Sequence, residues 1–80
     1  MQNIAVIANN YRQFESEFRH RDGKYNVTCR FYQDLEGNRY WFIGSLIGAR
    51  SHEFDDMLII GDMHRSLDKL LTIVNQRLKS

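Results

Sequence analysis

The sequence predicts an α/β fold: one small domain with a mixed sheet of about four strands and two helices. The prediction comes from two short apolar runs, residues 4–8 and 57–60, each ending at a small or polar pair. An uninterrupted apolar strand is buried on both faces, which is typical of a parallel strand covered by helices. We therefore expect the runs to form adjacent, central parallel strands in a single domain spanning residues 1–80.

The first strand is expected over residues 3–8, and a helix follows it. Asn10 has the chemistry of an N-cap, and Gln13 stands at the third helical position, where its amide completes a capping box. Aromatic residues then recur at helical spacing as far as Phe18. The pattern predicts a helix over residues 11–20.

An antiparallel hairpin is expected next. Residues 24–33 alternate with period 2, so Tyr25 and Phe31 should share one face while Tyr32 lies on the other. A Gly-Asn pair then breaks the pattern, and residues 39–43 form an aromatic-rich second strand. The hairpin should extend one side of the sheet.

The last third of the chain is expected to complete the strand and helix pattern. Residues 44–52 are rich in glycine and serine and should form a loop before the strand at 57–60. Ser66 is a suitable N-cap for a final helix, whose apolar stripe includes Val74 and ends at Leu78.

Composition excludes several classes of protein. The apolar fraction of 42% is that of a folded chain, and the single cysteine, Cys29, permits no intrachain disulfide. No apolar run approaches the roughly 20 residues that span a bilayer, and no signal peptide is recognised. We expect a cytoplasmic protein without a cofactor or a metal site, in which Cys29 is a buried, inert thiol.

The net charge of +1 conceals an uneven distribution. Residues 34–62 carry two basic and six acidic side chains, a balance of −4, whereas both ends of the chain are mildly basic. Such an acidic segment favours a basic partner surface, because it imitates the charge of nucleic acid. The acids expected to act together are Asp34, Glu36, Glu53, Asp55 and Asp56.

The aromatic hairpin is a second candidate for partner binding. Arg30, Tyr32, Arg39 and Trp41 combine the residue types that are enriched at the centres of interfaces. With one face of the hairpin packed on the core, the other is expected to form a homodimer or a hetero-complex. Stacking of nucleic-acid bases on these rings is the alternative.

Polar residues that follow the two apolar strands form a candidate ligand site. Asn9 and Asn10 come after the first strand, and Asp62 and His64 come after the second. The carboxyl ends of parallel strands are where α/β folds bind ligands. The alternative is structural: Asp62 caps the turn and His64 lies at the surface.

In this order of elements, three segments resemble the P-loop ATPase core of helicases and phage terminase large subunits. Tyr11-Arg12-Gln13 matches the helix start after the first strand, Gly48-Ala49-Arg50 matches a later loop, and Met-Leu-Ile-Ile-Gly-Asp-Met-His at residues 57–64 matches the acid-bearing strand. The resemblance spans roughly residues 3–66. It departs from the family at Gly61, which replaces the magnesium-binding aspartate, and no phosphate-binding Gly-x-x-x-x-Gly-Lys-Ser/Thr occurs.

The resemblance implies a small phage-type, Rossmann-like protein that has lost the parts needed for ATP hydrolysis. We therefore expect a non-catalytic protein that binds and inhibits a host protein or host-defence complex, such as an anti-CRISPR. Two alternatives are a nucleic-acid-binding accessory protein and a small nucleotide-binding protein or hydrolase. The cations that would serve the first alternative are Arg12, Arg19, Arg21, Lys24, Arg30 and Arg39.

Overall fold

The structure, a computed structural model, describes residues 1–43, 54–61 and 74–76, in which five strands belong to one mixed sheet. The elements in chain order are β1 (Asn3–Ile7), α1 (Tyr11–Phe18), β2 (Gly23–Asn26), β3 (Phe31–Asp34), β4 (Arg39–Phe42) and β5 (Asp56–Ile59). Residues 74–76 are also helical. The order of strands across the sheet is β2-β3-β4-β1-β5.

The two apolar runs are adjacent and parallel, as predicted. β1 pairs in parallel with β5 on one side and with β4 on the other. Of these two strands, however, only β1 has a neighbour on both sides. β5 is an edge strand of the described sheet, and its Ile59 is 50% exposed. The prediction of two central strands is therefore wrong for β5, since an apolar composition alone does not reveal whether a strand has a neighbour on both sides.

Both faces of the sheet are covered, because residues of β1 alternate between two apolar clusters. Ile4 and Val6 pack with Phe14 and Phe18 of α1, whereas Ala5 and Ile7 face the opposite side. That opposite cluster includes five buried residues from outside β1 and α1, namely Phe31, Trp41, Ile43, Phe54 and Val74. The burial of Val74 agrees with the apolar stripe predicted for the final helix.

The strand predicted over residues 24–33 is in fact two strands, which raises the count from four to five. A turn over residues 27–30 separates β2 from β3. The Asn26 side chain accepts a hydrogen bond from the Cys29 backbone at 2.8 Å, its carbonyl accepts one from the Arg30 backbone, and Arg30 adopts a φ of 58°. The Asn26 side chain thus closes a turn that contains neither glycine nor proline.

This turn changes which aromatic residues share a face. Tyr25 pairs across the hairpin with Tyr32, and both pack on the α1 side, whereas Phe31 packs on the other side. The expectation that Tyr25 and Phe31 lie on one face is therefore wrong. The alternation of residue types continues through residues 24–33, but the turn interrupts the alternation of side-chain directions.

Four predicted features lie outside the described residues. They are the loop over residues 44–52, the acid Glu53, the pair Asp62 and His64, and most of the final helix.

Candidate functional site

The carboxyl ends of β1 and β5 meet beside the beginning of α1. After β1 the chain forms α1 and then β2, β3 and β4, which all lie on one side of β1 in the sheet, whereas β5 lies on the other side. The boundary between β1 and β5 is therefore a switch point of the sheet, the position at which α/β folds commonly bind ligands. The structure brings Asn9 and Asn10 to this position together with Gly61.

Gln13 stabilises this switch point with three hydrogen bonds. Its backbone N–H donates to Asn10 Oδ1 at 2.9 Å, which confirms Asn10 as the N-cap. Its side-chain Oε1 accepts from the Asn9 backbone N–H at 2.7 Å, and its Nε2 donates to the Ile60 carbonyl at 3.2 Å. Two of the backbone N–H groups near the start of α1, those of Asn9 and Gln13, are thus engaged within the chain and not available to a phosphate.

Gly61 lies too close to its neighbours to carry a side chain. A Cβ placed there would lie 2.7 Å from the Asn9 backbone nitrogen and 2.9 Å from Gln13 Oε1. The glycine allows the end of β5 to pack directly against the end of β1. Among the described residues, Asn9, Gln13 and Gly61 are therefore in close contact at the carboxyl ends of β1 and β5.

Tyr32 and Trp41 are not surface residues. Their exposed fractions are 2% and 1%, and Trp41 packs on Phe31 with ring centroids 4.5 Å apart while its Nε1 donates to Asn3 Oδ1 at 3.0 Å. The expectation that they form an exposed interface is wrong, because α1 covers Tyr32 and the cluster around Val74 covers Trp41.

Arg30 and Arg39 lie on opposite faces of the sheet. The Arg30 guanidinium stacks over Tyr11 at 4.6 Å, on the α1 side, and that of Arg39 stacks over Phe31 at 5.1 Å, on the other side. The Arg39 Nε is buried and has no hydrogen-bond partner among the described residues. These two cations therefore do not form one stripe along which a nucleic-acid backbone would bind.

The acidic residues, in contrast, meet at one end of the sheet. β4, β1 and β5 are parallel, so their amino ends share an edge, and the turn between β3 and β4 lies at that edge too. The turn contributes Asp34 and Glu36, and the start of β5 contributes Asp55 and Asp56. The name acidic end refers below to Asp34, Leu35, Glu36, Asp55 and Asp56.

The acidic end combines charge with an exposed apolar side chain. Glu36, Asp55 and Asp56 are exposed. Leu35, which lies between Asp34 and Glu36 in the sequence, is 79% exposed. Because neighbouring strands are about 4.8 Å apart, the turn and the start of β5 lie roughly 10 Å apart across β1. Lys24, the second residue of β2, and Arg39, the first residue of β4, lie at the same edge of the sheet, so this edge carries cations as well as the four carboxylates.

Hydrogen bonds through residues 2 and 3 hold the two halves of the acidic end together. The Gln2 backbone donates to Asn38 Oδ1 at 2.9 Å and accepts from the Arg39 backbone at 2.7 Å. The Asn3 backbone donates to Asp55 Oδ2 and accepts from the Asp55 backbone, both at 2.7 Å. The acids therefore have defined relative positions.

Asp34 organises the turn and remains ionised. Its Oδ1 accepts from the Glu36 and Asn38 backbones at 2.9 Å, and its Oδ2 accepts from Asn38 Nδ2 at 3.1 Å. Desolvation acts to raise the pKa of Asp34, but the hydrogen bonds from Asn38, Glu36 and Gly37 outweigh it, so the pKa lies below its ordinary value. Asp34 is consequently anionic at neutral pH.

Burial raises the pKa of three tyrosines, Tyr25, Tyr32 and Tyr40. For Tyr25 the Tyr11 hydroxyl adds to the effect, although neither hydroxyl has a hydrogen-bond partner of good geometry among the described residues. These phenols favour the neutral form in the folded chain, whereas the unfolded chain ionises them near pH 10.

We expect stability to fall steeply above about pH 10. A tyrosine whose pKa is higher in the folded than in the unfolded chain stabilises the fold at pH values below its pKa in the unfolded chain. This stabilisation is lost as the pH rises towards the pKa of the folded chain, by at most about 1.4 kcal/mol per pH unit for each tyrosine. Urea unfolding between pH 8 and 11, followed by circular dichroism, measures the fall, and Tyr25→Phe should make it shallower. The expectation fails if all tyrosines of the folded protein titrate together near pH 10 in absorbance at 295 nm.

Comparisons with known proteins found no matching family model, no similar curated protein and no similar solved structure. No helix among the described residues has the length and apolar character needed to cross a membrane. Within residues 1–43, 54–61 and 74–76, no group of three or more His, Cys, Asp or Glu side chains is placed to hold a metal ion.

Sequence reasoning identified the individual acids but missed two structural residues. The capping box predicts that the Gln13 side chain accepts from the Asn10 backbone N–H, but its Oε1 accepts from the Asn9 N–H and its Nε2 donates to the Ile60 carbonyl, 47 positions away, which no local pattern shows. Gly61 stood out only as a departure from the ATPase pattern. Its small size is explained by the contact with Asn9, which no local pattern shows.

Proposed function

We propose that this chain is a non-catalytic, phage-encoded interaction protein that binds and inhibits a host protein or host-defence complex. In this proposal the acidic end contacts a basic surface of the partner. The phage origin and the inhibition rest on the sequence resemblance. The binding role rests on the gathering of acids at one end of the sheet, which is the observation that carries the proposal.

The make-up of the acidic end suits a protein partner better than a metal ion or a small cation. Its carboxylates lie on two segments roughly 10 Å apart, so they match separate cations on a broad surface. The exposed Leu35 adds an apolar contact between them. Apolar contact within a charged border is the usual composition of a protein interface.

The hydrogen bonds within the switch point support a non-catalytic role. Asn10 and the Asn9 backbone are hydrogen-bonded to Gln13, and Gly61 packs against Asn9 without leaving space for a side chain. A nucleotide or substrate that bound the backbone N–H of Asn9 or Gln13 would have to displace bonds that hold the start of α1 against the ends of β1 and β5. The described part of the edge is thus better suited to holding the fold together than to chemistry.

Neutralising part of the acidic end should weaken partner binding by about tenfold. The variant Glu36→Gln/Asp56→Asn removes two charges, and each replacement keeps the size of the side chain. The amide at position 56 also retains an oxygen that can accept the hydrogen bond from the Met57 backbone N–H. The partner is first captured from host extract and purified, and its affinity is then measured by calorimetry at two salt concentrations. Wild-type binding should weaken with salt more than binding of the variant.

The matched control is Glu15→Gln/Glu17→Gln, which removes two exposed carboxylates from α1. This control should bind the partner as the wild type does, and the wild type should lower the partner's activity. Equal losses in both double variants would mean that net charge, and not the acidic end, governs binding. Capture of no host protein, or tight binding to labelled oligonucleotides with a strong salt dependence, would contradict the proposal.

A further inference from the structure

The strand β5 is an edge of the described sheet and carries an exposed apolar side chain. Ile59 is 50% exposed, and Met57 and Leu58 are half-buried. The other edge of the described sheet, β2, instead exposes Lys24, and a charged side chain on an edge strand discourages pairing with a further strand. Of these two edges, β5 is therefore the one suited to receive another strand.

The pairing of β5 with β1 determines which backbone groups of β5 point away from the sheet. The Ile60 N–H donates to the Ile7 carbonyl at 3.0 Å, and Ile7 stands in register with Ile59. In a ladder of this kind the backbone groups of alternate residues face the same neighbour. The N–H and C=O groups of Met57 and Ile59 therefore point away from β1, towards the unpaired side of β5.

Asp56 engages one of these two outward N–H groups. Its Oδ1 accepts from the Met57 N–H at 2.7 Å, whereas no acceptor for the Ile59 N–H lies among the residues that the structure describes. The bond joins consecutive residues, and Asp56 is exposed. The carboxylate can therefore turn into solvent and release the Met57 N–H without any change in the sheet.

A second copy of β5 is complementary to this edge in the antiparallel orientation. When Leu58 stands opposite Leu58 of the second copy, Met57 stands opposite Ile59. Met57 and Ile59 are the residues with outward backbone groups, so each such pair exchanges two hydrogen bonds. Their side chains lie on one face of the sheet, because they are two positions apart. The exposed Ile59 side chain thus gains an apolar neighbour from the second copy.

The charges of β5 favour the antiparallel orientation over the parallel one. Asp55 and Asp56 stand at its amino end, whereas Ile60 and Gly61 at its carboxyl end are uncharged. In the antiparallel pair the two Asp56 residues are four positions apart along the strands, or roughly 13 Å. A parallel pair in register would place them about 4.8 Å apart, and like charges directly opposite each other are destabilising.

We propose that β5 pairs with β5 of a second copy of this chain in a two-fold symmetric, antiparallel dimer. The Asp56 carboxylate competes with this pairing for the Met57 N–H and so weakens it. The contact consists of two short strands and is smaller than the interfaces of stable dimers, so we expect a Kd of roughly 0.1–1 mM. This inference goes beyond the proposed function, and its test uses the purified chain alone.

Sedimentation velocity from micromolar to millimolar concentration measures the self-association, and NMR of a mixture of isotope-labelled and unlabelled chains locates the contact. An intermolecular nuclear Overhauser effect between the Hα atoms of the two Leu58 residues is expected, because residues of a non-hydrogen-bonded antiparallel pair lie closest together. A chain that stays monomeric at millimolar concentration overturns the proposal, whether β5 is then free or paired with another segment of the same chain or with another protein. A dimer whose intermolecular contacts lie outside β5 also overturns it.

Ile59→Lys should weaken self-association by about tenfold, because it places a charge on the edge and removes the apolar contact with Met57 of the second copy. Val27→Lys is the matched control: Val27 is 70% exposed but lies in the turn between β2 and β3. Wild-type circular dichroism of both variants shows that they are folded. Equal self-association of the wild type and Ile59→Lys would overturn the proposal.

Asp56→Ala should strengthen self-association by about threefold, because it releases the Met57 N–H for pairing. Glu15→Ala removes the same charge from the exposed face of α1 and should leave self-association close to that of the wild type. If Asp56→Ala associates no more tightly than Glu15→Ala, the competition between the Asp56 carboxylate and strand pairing is refuted.

Discussion

Replacing Trp41 with alanine is expected to lower the free energy of unfolding by about 3–5 kcal/mol. The side chain is 1% exposed and packs on Phe31, so its removal leaves a cavity in the cluster that also contains Val74. Its indole N–H also bonds to Asn3 Oδ1, which would lose this partner. A chain of 80 residues has a total stability of roughly 4–12 kcal/mol, so the substitution should remove a large share of the stability of the fold.

Urea unfolding followed by circular dichroism measures this loss, because the substitution removes the chain's single tryptophan and with it the intrinsic fluorescence signal. Leu35→Ala is the control: its side chain is 79% exposed, and its stability should stay within about 0.5 kcal/mol of the wild type. A Trp41→Ala variant with unchanged stability but weaker self-association would show that Trp41 is a surface anchor after all.

Replacing Gly61 with alanine should destabilise the protein by about 1–3 kcal/mol. The added Cβ would lie 2.7 Å from the backbone nitrogen and side-chain oxygen of Asn9, and 2.9 Å from Gln13 Oε1. Relief would require the end of β1 or the amide of Gln13 to move, which breaks the bonds that join β1, α1 and β5. Thermal and urea unfolding measure the loss.

A double-mutant cycle with Gln13→Ala separates this contact from a general loss of flexibility at the glycine. Shortening Gln13 removes one of the colliding groups, so the combined variant should lose less stability than the sum of the two single variants. Strictly additive losses would contradict the close packing of the switch point that supports the non-catalytic role.

The elements that sequence analysis predicted well are those set by local patterns. β1 is recognisable as an unbroken apolar run, and Asn10 and Gln13 mark the start of α1 by their capping chemistry. The parallel pairing of β1 with β5 followed from the similarity of their runs. Each of these signals lies within a few residues of the element that it predicts.

The features that sequence analysis missed depend on contacts between distant segments. The turn that divides β2 from β3 has no glycine or proline, and Asn26 was its one local signal. The burial of Trp41 depends on Val74, which lies 33 positions further along the chain. The acids of the acidic end were recognised as a group, but only the sheet topology joins Glu36 to Asp55 and Asp56.

Site-specific photo-crosslinking tests the central claim most directly. A photoreactive amino acid is placed either at Leu35, in the acidic end, or at Val27, in the turn at the opposite end of the sheet. Both side chains are highly exposed, at 79% and 70%, so reactivity alone does not favour one of them. We predict a covalent adduct with one host protein from position 35 and not from position 27. Crosslinking from position 27 alone, or equal crosslinking from both, would contradict binding through the acidic end.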